Sequence, residues 1–304
     1  MERYYSIGGH LLKIEGDEAD SITRFPGFAP FETNRPEAEP GMRMILTGCD
    51  TVASFAGTLS EGNRRPQPFA VGIEKQSVFY RFAFDEINCT FAGENSGKYV
   101  FQMCSPDGQV LELCCRPDSG KCTFSGSKSP RLLRFALWVG YGLLAAAQQT
   151  LCMHASVIVC RGKAVLFLGE SGTGKSTQTR LWQEHVPGVI LMKDDSPVVR
   201  ICGDLPFVYG SPWSGKTPCY RNERAELAAV VRLSQAPYNR IRQLKIVEAF
   251  GALFPSCPPA FARDKILRGH VCSILSKVLC HIPVYHLACL PDAEAVRLSF
   301  RTLF

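Results

Sequence analysis

The sequence predicts an α/β domain preceded by a smaller, mostly β domain, and three observations support this fold class. The chain has 304 residues, enough for one large domain or two unequal ones. Residues 1–127 carry strand and turn signals, whereas residues 128–304 alternate strands with helices. A glycine-rich segment, GESGTGKST at Gly169–Thr177, directly follows the apolar run AVLFL. We therefore predict a mostly β domain over 1–127 and an α/β domain over 128–304.

The first 127 residues predict β-hairpins. SVFYRFAFD has apolar residues at alternate positions from Val78 to Phe84, which is typical of a half-buried strand. YVFQMC and QVLELCC flank SPDG, a favourable hairpin turn, and RPDSGK predicts another turn. The cysteines Cys114, Cys115 and Cys122 lack paired CxxC spacing, which favours strand packing over a zinc site. This half contains no recognisable catalytic constellation.

The second half begins with a predicted buried helix. Apolar residues from Phe135 to Ala147 follow Ser129 and Pro130, which suit a helix N-terminus, and the run is too short to cross a bilayer. Further strands are predicted at Ser156–Cys160, Ala164–Leu168, Val189–Met192, Val198–Ile201, Phe207–Tyr209 and Ala228–Leu233. Apolar stripes then predict two helices, one through Ile241, Leu244, Val247 and Phe250, and one through Leu267, Val271, Ile274, Leu275 and Val278.

Charge divides unevenly between the two halves. Residues 1–127 hold 12 basic and 17 acidic side chains, whereas residues 128–304 hold 22 and 11. The basic second half suits a polyanionic ligand, and no basic run with interleaved aromatic residues indicates a nucleic-acid partner. MERYYSIGGH lacks the pattern of a secretory signal, so we expect a cytoplasmic protein with reduced cysteines and no membrane partner.

The segment GESGTGKS matches the phosphate-binding pattern GxxxxGK[ST], also called Walker A. Its glycines allow successive backbone N–H groups to face one anion, and the following helix adds its positive end. Lys175 would contact the β and γ phosphates of ATP or GTP, and Ser176 would bind Mg²⁺. The predicted nucleotide-binding residues are Gly169, Glu170, Ser171, Gly172, Thr173, Gly174, Lys175, Ser176 and Thr177. The alternative is a glycine-rich turn with a solvated lysine.

Two adjacent carboxylates, Asp194 and Asp195, follow the predicted strand VILM. Beside a phosphate loop, such a pair can have two roles. One carboxylate lies near the metal, and the other accepts a proton from an attacking hydroxyl. We therefore predict Ser176, Asp194 and Asp195 as metal ligands. The alternative is a solvated acidic turn.

HASVIV, GESGTGKST and KDDSPVV, in this order and at this spacing, resemble the HPr kinase/phosphorylase family. The resemblance runs from about His154 to Asp195 and more weakly to the C-terminus. It implies a P-loop kinase domain of the HPr kinase/phosphoenolpyruvate carboxykinase type. It also implies that His154 lies in the active site, that Lys175 holds the phosphates, and that Asp195 accepts the proton, with Asp194 supporting it or the metal. Without the resemblance, His154 would equally suit a hydrogen-bonded core histidine.

A further loop, YGSPWSGKTPCYRNER, combines cations, a glycine and a tryptophan. Its PWSGK segment resembles the PW-x-GK loop of kinase-like relatives of the same family. Lys216 and Arg221 would supply positive charge to a transferring phosphoryl group. The alternative is a surface loop with a buried Trp213 and solvated cations.

These residues together predict a magnesium-dependent kinase that transfers the γ-phosphoryl of ATP or GTP to a hydroxyl. The expected acceptor is a serine of a small protein or peptide, and the resemblance implies a homo-oligomer. Two alternatives stay open at this point: a carboxykinase-like enzyme acting on a small metabolite, and a nucleotide-binding module without transfer chemistry.

Overall fold

A computed structural model describes residues 1–47, 77–94, 97–215 and 217–304. Within these ranges the chain forms two compact units. The first unit comprises Met1–Tyr4, Leu12–Arg24 and Pro36–Leu144, and the second comprises Tyr5–Leu11, Phe25–Arg35 and Ala145–Phe304. The units therefore interleave along the chain, whereas the sequence predicts a single boundary after residue 127.

Two large sheets account for the strands in the described residues, so the fold is mixed α/β. The first sheet contains β1 (Glu2–Ile7), β2 (His10–Glu15), β3 (Glu32–Thr33), β4 (Met42–Leu46), β5 (Ser77–Phe84), β6 (Ile87–Gly93), β7 (Tyr99–Cys104), β8 (Val110–Arg116) and β9 (Lys121–Gly126). Their order is β3-β1-β2-β4-β9-β8-β7-β6-β5. Strands β5 to β9 pair antiparallel, which confirms the predicted hairpin around SPDG.

One helix, α1 (Pro130–Ala146), belongs mainly to the first unit and confirms the predicted buried helix. Its Phe135 ring lies 5.9 Å from the ring of Phe101 on β7 and 4.4 Å from that of Phe84 on β5. Such aromatic contacts anchor a helix on a sheet because each ring buries a large apolar area. Across the part of the chain that is described, no helix combines the length and the apolar character needed to cross a membrane.

The second sheet contains β10 (Thr150–Cys152), β11 (Ala155–Cys160), β12 (Lys163–Leu168), β13 (Ile190–Asp195), β14 (Val198–Cys202), β15 (Leu205–Tyr209), β16 (Arg224–Gln235), β17 (Arg240–Gln243) and β18 (Val284–Cys289). Seven strands follow the order β10-β14-β15-β16-β12-β11-β13, and β18 pairs with both β16 and β17. Strand β16 is central because it runs parallel to β12 and β18 and antiparallel to β15. The helices of this unit are α2 (Lys175–His185), α3 (Ile246–Leu253), α4 (Lys265–His281) and α5 (Ala293–Leu303).

A buried cluster on one face of the second sheet holds α2 and α5 in place. Trp182 of α2 is fully buried, with its ring 6.1 Å from Phe167 on β12 and 5.9 Å from Phe300 on α5. Val231 of β16 and Leu287 of β18 join the same cluster. Because Trp182 lies two turns after Lys175, this packing fixes the direction in which α2 leaves the glycine-rich loop.

The first predicted apolar stripe after residue 240 is wrong in part. Ile241 lies on β17, which pairs antiparallel with β18, and helix α3 begins only at Ile246. A hydrogen bond at the helix N-terminus accompanies the later start, because the backbone N–H of Lys245 donates to the Glu248 carboxylate at 3.0 Å. Ile241 and Leu244 are three residues apart, as in a helical stripe. Ile241 nevertheless lies on a strand, and Leu244 lies between that strand and the helix.

A buried histidine in the second unit predicts acid sensitivity of that unit. His10 is 6% exposed, its Nε2 lies 2.8 Å from the Thr150 hydroxyl, and burial lowers its pKa from 6.5 to about 4. Below pH 6.5 the unfolded chain binds a proton that the folded chain does not, so stability falls with pH until the folded pKa is passed. The expected loss is about 3 kcal/mol between pH 7 and pH 4.

Two measurements check this prediction. Imidazole NMR signals assigned with a His10→Gln variant should titrate near pH 4, and the variant's unfolding free energy should depend less on pH than that of the wild type. A His10 midpoint near 6.5 would contradict the prediction.

Candidate active site

The glycine-rich segment forms a tight loop between β12 and α2. Gly174 is the N-cap of α2 and has a φ of +97°, a conformation that favours glycine. Gly169 needs the absence of a side chain for a different reason, because a Cβ there would overlap the Thr173 hydroxyl. That hydroxyl donates to the Glu170 carbonyl at 2.8 Å. The loop is therefore closed by a hydrogen bond between its own residues, and Lys175 lies in the first turn of α2.

Lys175 directs its ammonium group back into the loop. Its Nζ donates to the carbonyls of Gly169 at 2.8 Å and Glu170 at 3.1 Å, and lies 3.0 Å from His154 Nε2. These three acceptors match the three N–H groups of an ammonium. Burial lowers the pKa of Lys175, while the nearby carboxylates of Asp195 and Asp194 oppose that shift. The lysine is thus held at the loop by contacts that a phosphate can replace.

The contacts of His154 define its tautomer. Because an ammonium only donates hydrogen bonds, Nε2 of His154 accepts from Lys175. The proton of the neutral ring then lies on Nδ1, which donates to Asp195 Oδ1 at 2.8 Å. This hydrogen bond from His154 is the largest cause that lowers the pKa of Asp195, and burial opposes it. Lys175, His154 and Asp195 therefore form one connected chain with Asp195 as the carboxylate.

Asp194 has a different set of partners. Its Oδ1 accepts from the Ser156 hydroxyl at 2.5 Å, and both of its carboxylate oxygens lie 3.2 Å from the Ser176 hydroxyl. Asp194 is 6% exposed, and Ser156 is directly opposite it on β11. The two aspartates thus have different partners, since one faces the loop serine and the other faces the histidine.

The Ser176 and Asp194 oxygens fit a magnesium ion. Mg²⁺ is commonly held by one or two protein oxygens together with substrate phosphates and waters, so a dedicated cage of carboxylates is not required. Over the described residues, no group of three or more His, Cys, Asp or Glu side chains is arranged to hold a metal. A metal at this site would accordingly depend on oxygens supplied by a bound nucleotide.

The backbone at Asp195 departs from the strand conformation. Asp195 has a φ of +86°, which is unusual for a residue other than glycine and costs about 1–3 kcal/mol. Adjacent residues of a regular strand point to opposite faces, so this departure explains how both aspartates act on Lys175. A bridge between Asp195 and Ser214 holds the conformation, and a Cβ on Gly215 would come within 2.9 Å of Asp195 Cβ.

Lys193 anchors the loop that covers Asp195. This lysine is fully buried on β13, and its Nζ donates to the carbonyls of Ser211 at 2.8 Å and Cys219 at 2.7 Å. It also lies 5.2 Å from the centre of the Tyr220 ring. Both ends of the segment from 211 to 219 are therefore fixed to the strand that carries the aspartates.

The structure brings together five of the predicted catalytic and metal-binding residues: His154, Lys175, Ser176, Asp194 and Asp195. The guanidinium of Arg221 pairs instead with Glu223 across 3.5 Å. Lys216 lies outside the described residues. The predicted strand VILM ends too early, since β13 continues through both aspartates. Trp213 is 4% exposed and packs edge-on against Phe28. Its burial agrees with the alternative prediction for the PWSGK loop, a surface loop with a buried tryptophan.

Two residues of the site were missed from the sequence. Ser156 lies two residues after His154, and side chains two residues apart in an extended chain share one face. Lys193 offered only a weak signal, a charge directly after the apolar run Val189–Met192. Gly215 belongs to the predicted PWSGK loop, but its close approach to Asp195 depends on tertiary structure and had no sequence signal.

Comparison with known proteins adds a weak similarity to solved structures. No protein-family model matches the chain, and no curated protein matches it. The chain is similar to a solved structure of the HPr(Ser) kinase/phosphatase from Coxiella burnetii, with 15% identity and a TM-score of 0.28. The similarity covers 51% of this chain and 93% of the other. At this level it carries no functional conclusion, so we infer function from the geometry of the site.

Proposed function

We propose that this protein is a magnesium-dependent P-loop phosphotransferase that moves the γ-phosphoryl group of ATP or GTP to a hydroxyl. The acceptor we propose is a serine of a small protein or peptide. One observation carries the proposal: the loop lysine, Lys175, is connected through His154 to the carboxylate of Asp195. A glycine-rich turn of purely structural origin has no reason to join its lysine to a histidine and an acid.

The loop residues would bind the terminal phosphates of the nucleotide. Backbone N–H groups at the start of α2 favour an anion, and Lys175 would exchange its contacts with the Gly169 and Glu170 carbonyls for phosphate oxygens. Ser176 and Asp194 would hold the magnesium ion, which supplies charge neutralisation on the phosphoryl oxygens when bound. Ser156 keeps Asp194 oriented by its hydrogen bond to Oδ1.

Asp195 would orient and deprotonate the attacking hydroxyl. Its lowered pKa keeps the carboxylate ionised, and the hydrogen bond from His154 Nδ1 fixes the position of Oδ1. In phosphoryl transfer the protein mainly positions the reactants and stabilises charge, so a weakly basic carboxylate suffices as the final proton acceptor. The division of roles between Asp194 and Asp195 follows from their different partners.

The proposal is tested by replacing Lys175. We expect Lys175→Ala to abolish release of phosphate from Mg·ATP, with water serving as the acceptor, and to weaken binding of a nonhydrolysable ATP analogue by about 100-fold or more. Lys277→Ala is the matched control, because Lys277 makes one exposed hydrogen bond to Gln149 on the protein surface. The control should keep wild-type turnover and affinity.

The alternatives give different outcomes in the same assays. Unchanged turnover in Lys175→Ala would refute the proposal. Tight nucleotide binding without hydrolysis or transfer to any seryl peptide would support a non-catalytic module. Turnover stimulated by oxaloacetate, and by no peptide, would support a carboxykinase-like enzyme.

A further inference from the structure

An arginine outside the glycine-rich motif lies beside the phosphate loop. Arg232 is on β16, directly opposite Leu168, the residue that precedes Gly169 at the end of β12. Because β12 and β16 are parallel, their carboxyl ends lie at the same edge of the sheet, where the loop begins. The same strand end contacts the loop a second time, since Gln235 Nε2 donates to the Gly172 carbonyl at 3.0 Å.

The guanidinium of Arg232 is directed towards the loop. Its NH2 lies 3.8 Å from the Glu170 carboxylate, and its NH1 lies 3.4 Å from the Ala252 carbonyl. The Arg232 side chain is 22% exposed, and its positive charge contributes to lowering the pKa of Lys175. Two cations therefore act on the same loop, and Glu170 is the carboxylate that partly neutralises Arg232.

The partner of Arg232 is weakly held. The Glu170 side chain is 84% exposed, and an exposed ion pair at 3.8 Å contributes about 0–1 kcal/mol. The backbone of Glu170 is fixed independently, because its carbonyl accepts from both the hydroxyl and the backbone N–H of Thr173. The carboxylate can thus leave Arg232 without any rearrangement of the loop. Arginine pairs with phosphate through parallel N–H donors, a stronger contact than the present one.

We propose that Arg232 is a further phosphate ligand of the nucleotide. In the free protein its guanidinium pairs with the Glu170 carboxylate, and a bound triphosphate displaces that carboxylate. The inference rests on the proposed function and adds a residue that the glycine-rich motif does not contain. Glu170 then has two opposite effects. It pairs with the guanidinium of Arg232 in the free protein, and it competes with the nucleotide for the same guanidinium.

The test compares removal of each partner of this ion pair. The probe is the magnesium complex of a nonhydrolysable ATP analogue, with its dissociation constant measured by calorimetry at constant ionic strength. Arg232→Met should weaken binding about 10- to 100-fold, with Arg232→Lys intermediate. Glu170→Gln should tighten binding up to about fivefold. In the double variant, Glu170→Gln should no longer tighten binding, because Arg232 is absent and cannot be freed for the nucleotide.

A second ion pair in the same unit provides the matched control. Arg242 pairs with Glu248 at 2.7 Å and lies on β17, which β18 separates from β16, so Arg242→Met and Glu248→Gln make the same changes in net charge two strands away from Arg232. Both should leave the dissociation constant within about twofold of wild type, since long-range effects are screened by salt.

The possible results separate the inference from the function on which it rests. If Lys175→Ala abolishes binding but Arg232→Met leaves it unchanged, the inference is wrong and the proposed function stands. If Glu170→Gln weakens binding as Arg232→Met does, the pair is structural and the inference is also wrong. If the folded wild type binds no triphosphate at millimolar concentration, both are wrong. Circular dichroism and melting temperature verify that each variant is folded.

Discussion

Replacement of Asp195 by asparagine is expected to slow phosphoryl transfer by about 100- to 10,000-fold without weakening nucleotide binding. The asparagine still accepts the hydrogen bond from His154 Nδ1, so the local geometry survives, but it cannot take up the proton of the attacking hydroxyl. The measurement is single-turnover phosphate release from Mg·ATP together with the affinity for a nonhydrolysable analogue. The affinity should be unchanged or higher, because a negative charge near the phosphates has been removed.

Replacement of Asp194 by asparagine is the internal comparison and should give a different result. Asp194 faces Ser176, so its loss should raise the magnesium concentration needed for half-maximal turnover by about tenfold or more. Excess magnesium should then restore part of the rate to Asp194→Asn and none to Asp195→Asn. Equal losses and equal magnesium responses in the two variants would contradict the division of roles between the carboxylates.

Much of the second unit could be predicted from the sequence because the signals there are local. The motif from Gly169 to Ser176 fixes a strand, a loop and a helix in that order, and the structure has β12 and α2 at these positions. The apolar stripe from Leu267 to Val278 likewise lies on α4. The helical spacing of apolar residues gave a wrong prediction where the chain passes from a strand to a helix within a few residues, as at Ile241 on β17.

The arrangement of the site could be predicted only in part, since it depends on contacts between distant segments. The sequence placed His154, Lys175 and Asp195 together through a resemblance, and it left open which aspartate faces which partner. The action of both aspartates on Lys175 depends on a positive φ at Asp195, which no residue pattern indicated. Arg232 was missed because its position beside the loop follows from the parallel pairing of β12 with β16.

Replacement of Lys193 by methionine is expected to lower the unfolding free energy of the second unit by about 2–5 kcal/mol. The fully buried ammonium donates to the carbonyls of Ser211 and Cys219, and an unsatisfied buried acceptor costs about 1–3 kcal/mol. The expected loss is large for one side chain because methionine fills the space but supplies no donor. Phosphoryl transfer should also slow, since the covering segment holds Asp195 through its bridge to Ser214.

Hydrogen exchange distinguishes loss of this anchor from a general loss of stability. The amide of Cys219 donates to the Ser214 hydroxyl at 3.2 Å, so its exchange should accelerate in Lys193→Met more than that of amides on β12. Lys163→Met serves as the control, because Lys163 pairs with Glu226 on the surface and should contribute within about 0.5 kcal/mol. Wild-type stability and wild-type exchange at Cys219 in Lys193→Met would mean that apolar packing alone holds the segment. The φ of Asp195 would then depend on Gly215 and Ser214 without support from the buried charge.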